Sequence, residues 1–492
     1  MGIQRRRVIM LYVLKLSIIA SVSAFSPALY ESLNIRTALG SHRRRLKRII
    51  RCKASTSSLD DIQRIFAISD LHTDNIDNLK WLRESCTKSN PLAPTSKDAL
   101  IIAGDISHEL SKLSEAFSII QENCGCHIFF VFGNHEAWVG GNEMDALGIR
   151  TSLEKLEVVN ALCLKHGVHT DMRLIGANYD NPVFLVPIES WYDGSLSLPG
   201  CEDLCDSFDT WPWVDFKRCV WPSGEELRNF TRKQNYNYYR PANGSLSTAN
   251  EIHTGRIPVG LSEYFANVNQ KRISRVKRYY QSWNSVHFNP KQQSQKRSKS
   301  LPGLITYSHF LPNLKTLPDW KDPSCDRFQR EYWLDHPVPK VSCNFAKVSG
   351  SALIDDQIRS IVPHDNHELK IQHLHVFGHS HRPKDFVLDG IRYIHNPLGK
   401  PRERQMKMVS ESVNFQLIWD CSKSSLSEFN DDDDDISFTG GDGEVPGVRI
   451  IRFWEEKGGG KVALARRMKL NQRMRRIQMK RFLRDVKNNE LN

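Results

Sequence analysis

Five short stretches of this chain pair metal-ligating side chains with the end of an apolar run. They are Asp70-Leu71-His72, Gly104-Asp105, Gly133-Asn134-His135-Glu136, Ser308-His309 and Gly378-His379-Ser380-His381. Carboxylate oxygens, an amide oxygen and imidazoles together suit Mn, Fe or Zn rather than Ca or Mg alone. One carboxylate can bridge two such ions, and an ion pair of that kind promotes in-line displacement at phosphorus. A single Gly-Asn-His is weak evidence, because a turn with a solvated histidine reads the same way. Five such endings in order are a stronger pattern than any one of them.

The runs that carry these residues read as strands. Ile62 to Ser69, Asp98 to Ala103 and Ile128 to Phe132 are short, apolar and rich in β-branched or aromatic residues. Helical periodicity fills the gaps, over Asn78 to Cys86 and Leu110 to Ile120. Strand, helix, strand, helix, strand is the layout of a parallel α/β unit, which binds ligands at the carboxyl ends of its strands. Phe184 to Ile188, Leu304 to His309, residues 374–377 and Gly390 to Ile394 continue the strand pattern. Phe415 to Trp419 and Val448 to Trp454 read as a late pair.

Between these blocks, residues 193–300 carry Trp/Pro clusters, a Tyr/Asn-rich patch and a Lys/Gln/Ser tract, which read as a lid or an inserted loop region. A basic helix over Lys271 to Trp283 is expected there with a solvated face. Residues 421–447, with Asp431 to Asp435 and many glycines, read as a self-repelling disordered loop. Residues 448–492 then hold the last strand and a basic helix over 461–487, suited to a membrane surface, an acidic partner or packing on the body.

Charge is unevenly spread. The net charge is +12, of which residues 1–57 supply +11 and residues 461–487 supply +10, so the remainder is acidic at −9. An acidic body without a basic groove argues against nucleic acid as a partner. Residues 1–24 have a basic start, an apolar run and small residues before Phe25, as a secretory signal peptide has. Residues 25–57 are rich in Arg and Ser and hold one acid, Glu31, as a transit peptide does. The join Ser-Val-Ser-Ala-Phe-Ser-Pro resembles the two-part plastid leaders of algae with complex plastids. Plastid residence is therefore expected, with secretion behind a basic propeptide as the alternative. The eleven cysteines include no CxxC pair, which argues against a structural zinc site and for free thiols.

Taken as an ordered set, the five stretches resemble the signature of the calcineurin-like metallophosphoesterases, over roughly residues 62–405 outside the insertion. The resemblance implies an α/β fold, a four-layer αββα sandwich of two mixed sheets, within a domain spanning 58–420 and interrupted by the insertion. It implies two divalent metal ions (Mn, Fe or Zn). Asp70, His72, Asp105 and His381 would hold one ion. Asp105 as bridge, Asn134, His309 and His379 would hold the other. His135 would be the catalytic residue, a protonated imidazole that serves the leaving oxygen. The implied activity is hydrolysis of a phosphomonoester or phosphodiester by a metal-bridging hydroxide, with a phosphate ester as the partner. Stretches such as Asn396-Pro397-Leu398-Gly399-Lys400-Pro401-Arg402-Glu403-Arg404 resemble a plant and algal branch of that superfamily with no settled substrate.

One departure matters. The protein Ser/Thr phosphatases carry Asp-Arg-Gly after the bridging aspartate, whereas here Gly104-Asp105 runs into Ile106-Ser107-His108-Glu109. A phosphate-binding arginine is missing there, and Arg382, Arg402 and Arg404 are the candidates to replace it. A protein phosphatase or nuclease is the competing enzymatic reading. A binding scaffold that has given up catalysis on the same fold is the competing reading of another class.

Overall fold

The computed structural model describes residues 58–206, 211–225, 227, 260–287, 301–362, 371–410, 412–422 and 460–489. The leader, residues 423–447 and the strand expected at Val448 to Trp454 lie outside the described residues.

β1 (Arg64–Ile68), β2 (Asp98–Ala103) and β3 (His127–Val131) pair in parallel, in register from Leu100 beside Ile128 to Ala103 beside Val131. A second sheet contains β4 (Arg173–Ile175), β5 (Val183–Pro187), β6 (Gly303–Tyr307), β7 (His373–Val376), β8 (Lys384–Leu388) and β9 (Ile391–His395). β5, β6, β7 and β9 run parallel, while β4 and β8 are antiparallel edges. β10 (Gln416–Asp420) closes the first sheet antiparallel to β1, giving the orders β10-β1-β2-β3 and β4-β5-β6-β7-β9-β8. Both sheets are mixed. The late strand thus pairs with the first strand of the domain, at the edge that β1 leaves open.

Strand alternation explains how two sheets stack. Ile65, Ala67, Ile101, Phe129 and Val131 point one way and meet Leu185, Ile305, Tyr307, Leu374, Val376 and Ile394 of the second sheet. The alternate residues Phe66, Ile68, Leu100, Ile102 and Phe130 point the other way, into a core shared with Leu79, Leu82, Leu113 and Phe117. Those four lie on the helices Ile76–Ser85 and Leu110–Asn123. Both faces of β1, β2 and β3 are buried, so these strands read as unbroken apolar runs. The result is an α/β sandwich of two mixed sheets with helices outside.

The insertion is less of a loop than its composition suggests. Its helix runs from Leu261 to His287. Phe265, Ala266, Ile273, Val276 and Tyr280 are buried against the body, where Phe184 meets Tyr280 ring to ring. Asn269 on the same helix donates to Gln357 and to the Glu189 carbonyl, and Arg272 pairs with Glu189 at 2.8 Å. The expectation of a solvated helix is therefore corrected: apolar residues at helical spacing lie between the charges, and they form the outer layer of the second sheet.

Two strands were hidden in sequence. β4 is three residues long, and β8 opens with Lys384-Asp385 and borrows its burial from tertiary contacts. Asp389 and Gly390, at φ 50° and 78°, form the tight turn between β8 and β9, a dipeptide that marks a hairpin. At the carboxyl end, the helix Gly460–Asn489 leaves Val462, Leu470, Met474, Ile477 and Met479 exposed. No helix among the described residues is long and apolar enough to cross a membrane.

Candidate metal centre

The carboxyl ends of β1, β2, β3, β6 and β7 meet at one edge of the sandwich. The loops there are held by each other. Asp70 N donates to the Gly104 carbonyl, His72 N to the Asp105 carbonyl, and Gly378 N to the His309 carbonyl. Asp70, His72, Asp105, His379 and His381 sit at φ 55°, 43°, 56°, 73° and 51°, the left-handed region. Among the described non-glycine residues two others, Asp389 and Lys407, share it. Such a backbone costs roughly 1–2 kcal/mol per residue, so strain is concentrated at the site.

The glycines of the motifs serve close approach. A Cβ on Gly104 would collide with the His309 ring, and one on Gly133 with the Asp105 carboxylate. Glu136 accounts for the end of the Gly-Asn-His-Glu stretch. Its buried carboxylate accepts from the backbone of Gly133, Asp105, Ile106 and Ser107 at 2.7–3.1 Å, locking the β2 loop to the β3 loop.

Two groups of candidate ligands share Asp105: Asp70, His72, Asp105 and His381, and Asp105, His309 and His379; a further group, His72, Asp74 and His135, adjoins the first through His72. The second group can be read proton by proton. His309 Nδ1–H donates to the Ala103 carbonyl at 2.9 Å, which leaves Nε2 as a bare lone pair. His379 Nε2–H donates to the Val348 carbonyl at 3.0 Å, which leaves Nδ1 bare. Asn134 Nδ2 donates to Asp215 Oδ1 at 2.9 Å, which turns Oδ1 inward. His309 Nε2, His379 Nδ1 and Asn134 Oδ1 then lie 3.1–3.2 Å from one another, with Asp105 Oδ1 3.4 Å from His309 Nε2. Protonation is no remedy: burial lowers His309 to about 4 and pushes His379 well below the usual range. Converging acceptors without a proton between them suit a cation.

The first group is arranged differently. His381 Nδ1–H donates to Glu403 Oε2 at 2.7 Å, and Nε2 faces His72 Nε2 at 2.9 Å and Asp70 Oδ1 at 3.3 Å. Burial alone would lower His381, but the carboxylates of Glu403 and Asp70 raise it to about 10. Asp70 Oδ2 accepts from Ser69 Oγ at 2.5 Å and from His395 Nε2 at 3.2 Å, and Oδ1 accepts from His379 N at 3.0 Å. Burial, then the charges of Glu136 and Asp70, push Asp105 well above the carboxylate range. So many buried carboxyl groups with so few cations again fit positive charge at the centre.

His135 stands at the rim, with Nε2 3.8 Å from Asp105 Oδ2 and its ring stacked on Trp138 at 3.8 Å. Burial lowers its pKa first, and the charges of His72 and Lys400 lower it further. The surroundings favour the neutral ring: burial and the neighbouring positive charges outweigh Asp105, which stands off at 3.8 Å, whereas Glu403 holds His381 at 2.7 Å.

Asp215, Glu403 and His395 are missing from the expected set. Asp215 lies in the insertion and is reached by no motif, although Trp211-Pro212-Trp213 just before it marks a structured turn. Glu403 and His395 lie within or beside stretches noticed for resemblance alone. Of the candidate phosphate-binding arginines, Arg382 reaches Asp335 and the His381 carbonyl, and Arg404 donates to the Leu398 and Gly399 carbonyls and to Asn78. Both brace loops. Arg402 is exposed.

A family model for calcineurin-like phosphoesterases matches residues 63–383, and the chain belongs to that family. Among solved structures it is similar to the phosphopantetheinyl hydrolase of Mycobacterium tuberculosis, at 18% sequence identity and a TM-score of 0.40, covering 73% of this chain and 96% of that one. Comparison with curated proteins gave no match.

Proposed function

We propose that this protein hydrolyses phosphate esters with two divalent ions, Mn, Fe or Zn, in the two groups that share Asp105. The observation that supports this most is the set of bare acceptors, His309 Nε2, His379 Nδ1 and Asn134 Oδ1, with no proton between them. Asp70, His72, Asp105 and His381 would hold one ion; Asp105, Asn134, His309 and His379 would hold the other. Bound there, the ions would supply Lewis acidity at phosphorus and activate water. The chain's own part is to fix the tautomers: Ala103, Val348 and Glu403 take the imidazole protons that face away from the centre. His135, beside Asp105 but outside the converging acceptors, would present Nε2–H to the leaving oxygen. Neutral, it stabilises negative charge as it develops on that oxygen through the Nε2–H hydrogen bond.

The test is His135→Ala in the purified, Mn-loaded protein. On an alkyl phosphate, kcat should fall about 10²–10⁴-fold with metal content unchanged. On a nitrophenyl ester, whose leaving group needs little help, the loss should be smaller. Metal loss together with activity would make His135 a ligand, and a wild-type protein inert toward a broad ester panel would favour the scaffold.

A further inference from the structure

We propose that a third cation, zinc, binds beside the first group of ligands, between His72, Asp74 and His135. The site goes beyond the two ions of the hydrolase reading and stands or falls by binding alone.

The three residues come from two loops that meet. One ligating atom from each of His72, Asp74 and His135 lies within 4.8 Å of the other two. His72 and Asp74 follow β1. His72 N donates to the Asp105 carbonyl at 2.9 Å and Thr73 N to the Ile106 carbonyl at 2.7 Å, which ties this stretch to the loop after β2. His135 follows β3, and its N donates to Asp105 Oδ1 at 3.0 Å. Both histidines are thus placed by contacts to one loop, and their rings meet edge to face at 4.6 Å.

Each of the three residues has an atom left over. His72 turns Nε2 to the first group, 2.9 Å from His381 Nε2, and His135 turns Nε2 to Asp105 Oδ2 at 3.8 Å. The Nδ1 of each is buried without a hydrogen-bond partner, in residues 1% and 6% exposed. Asp74 Oδ1 is likewise buried and unmatched, while Oδ2 has His108 Nδ1 at 3.6 Å. Buried polar atoms are rarely left unmatched in a finished site. A carboxylate oxygen and imidazole lone pairs repel an anion and suit a cation. Two imidazoles and one carboxylate are a set that zinc takes, with water completing the tetrahedron.

The ligand count separates the metals. The two groups that share Asp105 each offer two oxygens, from Asp70 and Asp105 or from Asp105 and Asn134, whereas this site offers Asp74 alone. Imidazole suits zinc, and oxygen suits Mn. Mn would therefore fill two sites and zinc all three. His72 would serve two ions through its two nitrogens, its ring proton passing to solvent, as ligand deprotonation requires. On His135, an ion at Nδ1 would hold the ring's proton on Nε2, the tautomer that faces the leaving oxygen. That consequence rests on the hydrolase reading; the site does not.

The full-length protein, stripped of metal, would be dialysed to equilibrium against zinc or Mn as wild type and Asp74→Ala. Wild type should bind one more zinc than Mn, and the extra ion should be missing from Asp74→Ala. No extra zinc in wild type would overturn the proposal, and so would an extra zinc that persists in Asp74→Ala, which would be an adventitious ion only. Mn should stay at two in both proteins. Loss of Mn from Asp74→Ala would make Asp74 a prop for His72 in the first group and would also overturn the site. Anomalous scattering at the zinc edge, from wild-type crystals soaked in zinc, should place an ion between His72, Asp74 and His135; a water there at saturating zinc would count against it decisively. The third zinc in a protein inert toward every ester would uphold the site and overturn the hydrolase reading alone.

Discussion

Asp215 has no atom at the metal centre, yet it sets which end of the Asn134 amide faces inward. It is 1% exposed and accepts from Asn134 Nδ2 and Trp138 Nε1 on one oxygen and from Trp213 Nε1 and Tyr192 OH on the other. Burial raises its pKa, and those donors hold it down. In Asp215→Ala the amide loses the acceptor that fixes it, and either end can turn inward. Outer partners of this kind are typically worth about 10–100-fold in metal affinity. Titrating metal into the apo variant should show that loss at one of the two ions, the other unchanged; equal affinity at both would refute the role. The seven candidate ligands were legible because each stands at a strand end, where an apolar run stops. Asp215 was not, because its position depends on how a Trp-rich insertion folds back, and no local pattern encodes that return.

At the scale of elements, the helix Ser152–Lys165 reaches the site with one side chain. Thr151 and Glu154 form its capping box, which the Thr-x-x-Glu spacing carries in sequence. Lys155, buried, donates to the carbonyls of His108, His135 and Trp138, tying together the loops that follow β2 and β3. Burial lowers its pKa to about 8, against 10.5 in the open chain. Below pH 8 the ammonium is charged in both states and its burial opposes folding. Between pH 8 and 10.5 the folded protein binds fewer protons than the unfolded chain, so this group's contribution to stability rises with pH. The gain is at most about 1.4 kcal/mol per pH unit. Urea denaturation from pH 8 to 10 should show a gain in wild type relative to Lys155→Met, and parallel curves would contradict it. The parallel strands themselves were readable, since burial on both faces leaves no polar alternation to confuse. The edge strands β4 and β8 were not, because short polar segments take their burial from neighbours.

For the whole molecule, charge is divided along the chain. The body's acids include Asp70 and Asp105 at the centre, and basic residues dominate the helix Gly460–Asn489, on which Val462, Leu470, Met474, Ile477 and Met479 stay exposed. The sandwich was legible in the order of its strand ends. The layer made by Leu261–His287 was obscured because its apolar positions alternate with lysine and arginine, and composition averages over the two faces.

The left-handed residues at the centre have a consequence for evolvability. Asp70, His72, Asp105, His379 and His381 hold a conformation that glycine adopts freely. Their side chains are kept against the preference of their own backbone, so the fold is less stable than its sequence would permit. At such a position the usual ranking of residues inverts. His379→Gly and His381→Gly should each melt higher than the matching alanine variant, by about 1–2 kcal/mol of unfolding free energy, whereas in an ordinary strand glycine is the worse choice. Alanine equal to or better than glycine at both sites would show that the strain is not there. If the ranking inverts, chemistry and stability pull these positions in opposite directions. A lineage released from catalysis would then drift toward glycine at these positions, and would gain stability as it lost the metals.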